Sequence, residues 1–191
     1  GLTFGLRMEG CPTGYLGPGG LLGDYGKYPN CTGGAAGYID WHLLGNTHIY
    51  HHPTSEEVYL TGAYDPEGIL GLLTSIVMVY FGVMAGRVIV YYKDHKERLT
   101  RWAVGAVILG SISLILTKAS TNEGFIPINK NMWSLSFITT LACFGLLCLS
   151  ALYILMDILK LWGGSPFKAM GMNSIVLYCG SSFLYNVFPF Q

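Results

Sequence analysis

Arg87 stands inside an apolar run that extends from Ile69 to about Tyr92, and nothing else in that run is ionic. An ion at membrane depth is expensive enough to suggest a task. A guanidinium holds a phosphate through two parallel hydrogen bonds, and Lys93, just past the run, supplies a second positive charge for such an anion. The competing reading is that Arg87 snorkels to lipid phosphate.

Three other groupings offer chemistry. Asp40 and the tyrosines of the first region, Tyr38 among them, pair a carboxylate with flat apolar faces, the usual means of gripping an amino sugar by its ammonium and its C–H face. The stretch from Asn122 to Trp133 sets Asn122, Lys130, Asn131 and Trp133 where a span re-enters the bilayer, a rim suited to a polar substrate or simply to an interfacial tryptophan anchor. Asn173 and Ser174 open the last apolar segment. His48, His51 and His52 have helical i, i+3, i+4 spacing, but Pro53 follows and no carboxylate or cysteine is placed to complete a metal site, so a solvated turn is expected. Gly17–Gly23 lacks the preceding strand and the glycine spacing of a phosphate loop, and neither Gly-x-Ser-x-Gly nor HExxH occurs; a self-contained hydrolase is poorly supported.

The elements that must position these groups are membrane helices. Hydrophobic residues make up 51% of the chain, charged ones only 12%, and the mean hydropathy is +0.44, values that place it among membrane proteins. Four spans are expected, Ile69–Tyr92, Trp102–Thr117, Trp133–Met156 and Asn173–Phe188, so the predicted fold is an all-α membrane protein. Asp65 as cap and Pro66 at the first helical position should start the first of them. Gly71, Ser75, Gly82 and Gly86 share one of its faces and suit close helix packing. Lys93, Lys96, Arg98 and Arg101 crowd the next connection, which the positive-inside rule makes cytosolic; residues 1–65 and the connection 118–132 are then lumenal. No basic stripe with interleaved aromatics exists, which argues against nucleic acid as a partner.

Residues 1–65 are too rich in glycine for long regular elements and are expected to form a turn-rich lumenal loop region ahead of the transmembrane region 66–191, with a helical piece from Ala35 to about Leu44 carrying Tyr38, Ile39 and Leu43 on one apolar side. Cys11 and Cys31 bracket the loop. A disulfide between them would suit a segment too polar to build its own core; two free thiols, or pairing with chain beyond this sequence, are the alternatives. Asn30-Cys31-Thr32 is a glycosylation sequon and points to the same lumenal side. Cys143, Cys148 and Cys179 lie in apolar runs and read as small core residues. Beginning at Gly1 and ending at Gln191 beside an apolar segment, the sequence is expected to be part of a longer protein that carries its targeting signal elsewhere.

Several long strings carry a resemblance: Gly10-Cys-Pro-Thr-Gly-Tyr-Leu-Gly-Pro-Gly-Gly20, the segment Lys27–Asp40, Ala63-Tyr-Asp-Pro-Glu-Gly-Ile-Leu-Gly71, Asn122-Glu-Gly-Phe-Ile-Pro-Ile-Asn-Lys-Asn131 and Gly171-Met-Asn-Ser-Ile175. Together they resemble the C-terminal portion of the heparan-alpha-glucosaminide N-acetyltransferase family, multi-span enzymes of the lysosomal membrane. The resemblance implies transfer of an acetyl group from cytosolic acetyl-CoA to the terminal glucosamine amine of heparan sulfate in the lumen. Arg87, Lys93, Asn173 and Ser174 are then candidates for acetyl-CoA, and Asp40, Tyr38, Asn122, Lys130, Asn131 and Trp133 for the sugar, with the bilayer and possible further copies of the chain as the other partners. The family's catalytic histidine lies in spans upstream, and none of His42, His48, His51, His52 or His95 matches it. A membrane transporter or channel subunit for a small polar solute is the rival class.

Overall fold

The computed structural model describes residues 10–66, 68–120 and 124–184; Asn122 therefore lies outside the described residues. Every regular element among those residues is helical: α1 Gly34–Leu44, α2 Thr54–Tyr59, α3 Ile69–Tyr91, α4 His95–Thr117, α5 Leu135–Tyr153 with a wider turn over Ile154–Ile158, α6 Phe167–Met172 and α7 Ser174–Leu184. Three of them, Ile69–Tyr91, His95–Thr117 and Leu135–Ile158, are long and apolar enough to cross a membrane. Of the expected fourth span, an apolar helix covers Ser174–Phe183, and the residues after Leu184 lie outside the described ones. The chain divides into two compact units, Gly1–Leu147 and Cys148–Gln191.

In the first unit, the region ahead of α3 is tied together by isolated backbone bonds rather than by a sheet. Leu22 N–H donates to the Tyr59 carbonyl (3.0 Å), Gly33 N–H to Pro18 (2.8 Å), Ala35 N–H to Tyr15 (2.9 Å) and Tyr64 N–H to Tyr50 (3.1 Å). The Tyr15 hydroxyl donates to the Asp24 carboxylate and accepts from Gly19 N–H (2.9 Å). Burial, then the Asp24 carboxylate, push that phenol well above its ordinary value, so it stays a donor. Cys11 and Cys31 form a disulfide with a Cα–Cα distance of 5.8 Å across a separation of 20 residues. Closing a loop of that length stabilises the folded chain by ~3 kcal/mol on the chain-entropy account. Cys11→Ser with Cys31→Ser should therefore make this region a preferred site of limited proteolysis; cleavage as slow as in the parent would contradict it.

The helical piece expected from Ala35 to Leu44 is α1, but it buries a different side. Gly34, Ala35, Gly37 and Asp40 are the buried positions, whereas Leu43 is exposed and Ile39 and Tyr38 are half-buried. Small residues are required there because the Tyr64 ring and the start of α3 lie directly against this face: a Cβ on Gly37 would meet Tyr64 at 3.3 Å and the Thr32 carbonyl closer still.

That packing also corrects the expected start of the first span. Asp65 and Pro66 do not begin the helix; the Gly68 N–H closes a turn on the Asp65 carbonyl (3.2 Å), and α3 starts at Ile69. Its cap comes from α1, where Asp40 Oδ1 accepts from the Ile69 N–H at 2.9 Å. A helix leaves its first N–H groups unpaired, and a carboxylate from elsewhere in the fold answers one of them as well as a local cap does.

The second span begins seven residues earlier than Trp102. α4 starts at His95 behind Asp94, with Glu97 in its first turn, so the basic stretch is mostly helix and only Tyr92–Asp94 connects α3 to α4. So short a link makes the two helices antiparallel neighbours. Arg98 secures the junction by donating from Nη2 to the Ile89 carbonyl (2.9 Å) and from Nε to Tyr92, which answers carbonyls at the α3 C-terminus. Trp102, only 1% exposed, donates from Nε1 to the Ala85 carbonyl (3.2 Å). Against α5, Gly105 faces Leu146, Gly110 faces Cys143, and the Ser113 and Thr140 hydroxyls bond each other. Small residues and a hydroxyl pair are what lipid-embedded helices use to approach closely.

The small face predicted on α3 has a different fate. Nothing lies within 4 Å of a Cβ built on Gly82 or Gly86, and α3 has no buried residue. Cys143 is half-buried and Cys148 and Cys179 are exposed rather than core residues of this chain. In the second unit, Trp162 donates to the Ser165 carbonyl (3.0 Å) and packs edge-on against Phe167, and Asn173 links α6 to α7, its side-chain amide donating to Ala169 (3.1 Å).

Candidate functional site

The antiparallel pair α3–α4 opens into a cleft of about 980 Å³ near its joined end. This is at the upper end of the roughly 300–1,000 Å³ usual for small-molecule sites. Its walls are apolar and aromatic, with Tyr80, Phe81, Met84, Trp102, Ile108 and Leu146 among them, and its charged groups are Arg87, Lys96, Arg101 and one acid, Glu97. Both arginines are held by a neighbouring aromatic ring. Arg87 stands one turn before the end of α3, its guanidinium 5.4 Å from the Tyr91 ring centre. Arg101, two turns into α4, lies 3.7 Å over the Tyr92 ring. Aromatic faces hold both guanidinium planes without using up their N–H groups, which remain available to an anion. Three cations against one carboxylate give this largely apolar cleft a net positive charge.

Of the residues expected to meet an anion, Arg87 lines this cleft and Lys93 does not; Asn173 and Ser174 belong to the second unit. Lys96 and Arg101 are members that sequence reasoning missed. By hydropathy both fall in the connection between spans; the signal that places them on a helix is Asp94-x-x-Glu97, the spacing of a helix N-terminus. None of His42, His48, His51, His52 or His95 lines the cleft. The His48 and His51 rings sit on the Leu44 and Asn46 carbonyls (3.1 and 3.2 Å), and His52 lies 3.9 Å from Glu56.

The residues expected to hold a sugar fall at three places: Asp40, Tyr38, and the group of Lys130, Asn131 and Trp133. Asp40 is 1% exposed and caps α3. Tyr38 stacks on His42 at 4.1 Å between ring centres and lines a small second cleft. Lys130, Asn131 and Trp133 stay together in the connection before α5. There Asn131 N–H donates to Asn129 Oδ1 (2.9 Å), Trp133 N–H donates to the Lys130 carbonyl (3.2 Å), and the Trp133 ring meets Phe137 edge-on. The connection is fixed from below by Ser136, fully buried, whose hydroxyl donates to the Pro127 carbonyl (2.8 Å), so Lys130 is presented outward from a firm turn.

Fold and site together define an all-helical membrane protein with a cation-rimmed apolar cleft between adjacent spans. Over its whole length the chain is 60% identical, across 192 residues, to heparan-alpha-glucosaminide N-acetyltransferase of Mus musculus. It is 58% identical, across 193 residues, to the protein of the same name from Homo sapiens. The chain is a relative of that enzyme across a part of it, spanning 29% of the length of each. No protein-family model matches the chain.

Proposed function

We propose that the chain is part of a lysosomal transmembrane N-acetyltransferase that takes acetyl from acetyl-CoA on the cytosolic side and delivers it to the terminal glucosamine amine of heparan sulfate in the lumen. The observation that carries this reading is the identity of 58–60% over the entire chain to enzymes named for that reaction. Acetyl-CoA supplies an activated thioester. The cleft between α3 and α4 suits its shape and charge: Arg87, Lys96 and Arg101 meet the phosphates, while the apolar and aromatic walls take the rest and keep water out. The acceptor is assigned to the rim of Lys130, Asn131 and Trp133.

Transfer needs a base to remove a proton from the sugar ammonium and a donor to polarise the thioester carbonyl. None of the chain's histidines lines the cleft, and no base is assigned among them. The contribution of these residues is binding and orientation. The test is to reconstitute the full-length protein in sealed vesicles with acetyl-CoA outside and a glucosamine-terminated oligosaccharide inside. N-acetylated product inside supports the reading; solute flux with no acetylated product would make the protein a transporter instead.

A further inference from the structure

The second cleft, about 250 Å³, is lined by Asn30, the Cys11–Cys31 disulfide, Thr32, Tyr38 and Trp41. It brings the sequon asparagine to the same recess as two aromatic rings. Asn30 is exposed, and Trp41 is 52% exposed although its neighbour Asp40 is buried, so a large indole stands uncovered at the cleft mouth. We infer that Asn30 carries an N-linked glycan whose first sugar covers Trp41 and Tyr38 in this cleft. The apolar C–H face of an N-acetylglucosamine ring is complementary to an aromatic face, and the attachment at Asn30 supplies it at high local concentration.

The modification needs an oligosaccharide activated as a lipid-linked pyrophosphate. The Asn30 Nδ2–C1 bond forms, the bond from C1 to the pyrophosphate oxygen breaks, the lipid pyrophosphate leaves with the electron pair, and the amide gives up one proton. In the folded chain the Thr32 hydroxyl accepts from the Gly62 N–H (3.1 Å) and Cys31 is in the disulfide. The sequon is thus locked after folding, so addition precedes closure of the loop. The inference shares with the proposed function only the lumenal orientation of this region, not the acetyl transfer. It also assigns Tyr38 to the protein's own glycan rather than to the acceptor.

The full-length protein made in glycosylating cells should give a peptide that spans residue 30 and shifts from asparagine to aspartate mass when peptide N-glycosidase acts in heavy-oxygen water. A peptide found unmodified would overturn the site. Under native conditions the same glycosidase should release the Asn30 glycan about tenfold faster from Trp41→Ala than from the parent, because the first sugar is no longer held. Equal release rates from folded parent and folded variant would overturn the seating in the cleft. Trp41→Phe, which keeps an aromatic face, should stay close to the parent. Acetyl-transfer activity is read separately and its loss would not bear on either result.

Discussion

Gly68→Ala should lower the stability of the protein by roughly 2–4 kcal/mol, because the added methyl group would enter a buried turn position. A Cβ at Gly68 would overlap Oδ2 and Cγ of Asp40, and Oδ1 would lie at 2.9 Å. The carboxyl is buried, and moving it aside would give up its bond to the Ile69 N–H. Overpacking typically costs about 1–3 kcal/mol and losing an N-cap about 0.5–2 kcal/mol, and the substitution does both. The expected reading is a drop of about 2–5 °C in the apparent melting temperature of the full-length protein. A shift of less than about 1 °C would mean that the contact of α1 with the start of α3 holds nothing together.

The same contact carries a pH dependence with a definite sign. Burial pushes the Asp40 carboxyl above its ordinary value of 3.8; the nearby Asp65 charge adds to this, and the N–H groups of Ile69 and Leu70 oppose it. Tyr64 also faces the group, itself pushed up by burial and by the two carboxylates. Oδ2 is buried and has no hydrogen-bond partner. A carboxyl raised on folding favours the folded state fully below its ordinary value, and that contribution is lost as pH rises through the raised one. Asp40→Asn keeps an acceptor for the Ile69 N–H but cannot ionise. Its melting temperature relative to the parent should therefore climb from about pH 4 to pH 7. A difference that stays constant over that interval would contradict the assignment.

What the sequence made legible depended on whether the cause was local. Ile69–Tyr91 was plain because its apolar length is a property of the segment itself. The α1 helix was legible for the same reason, yet its buried side was misjudged. Which face is covered depends on Tyr64 and Gly68, far along the chain, and the apolar residues Ile39 and Leu43 pointed the other way. The start of α3 shows the same limit. Asp65-Pro66 is a good local cap, but a carboxylate from α1 displaced it, and nothing adjacent in sequence marks Asp40 for that role. Arg87 was legible as an anomaly of charge. Its companions Lys96 and Arg101 were not, because their side of the cleft exists only once α4 is seen to begin at His95. The rim of Lys130, Asn131 and Trp133, proposed for the acceptor, was legible as a polar stretch beside a span, whereas its separation from Tyr38 and Asp40 is a matter of tertiary structure.

Arg87 carries the second large expected effect. A charge-assisted hydrogen bond to phosphate is worth roughly 1.5–3 kcal/mol, so Arg87→Ala should weaken acetyl-CoA binding by about one to two orders of magnitude. Arg87→Lys keeps the charge and loses the two-pronged geometry, so it should fall between parent and alanine. Arg101→Ala should act in the same direction, since its guanidinium faces the same cleft from α4. Acceptor affinity should be untouched by either change, because Lys130, Asn131 and Trp133 do not line that cleft. The most direct measurement is the equilibrium dissociation constant of acetyl-CoA for purified full-length parent and Arg87→Ala, with melting curves establishing that both are folded. A dissociation constant raised about ten- to a hundredfold in the variant is the predicted result. A folded Arg87→Ala that binds acetyl-CoA as tightly as the parent would contradict it and leave Arg87 paired with lipid phosphate.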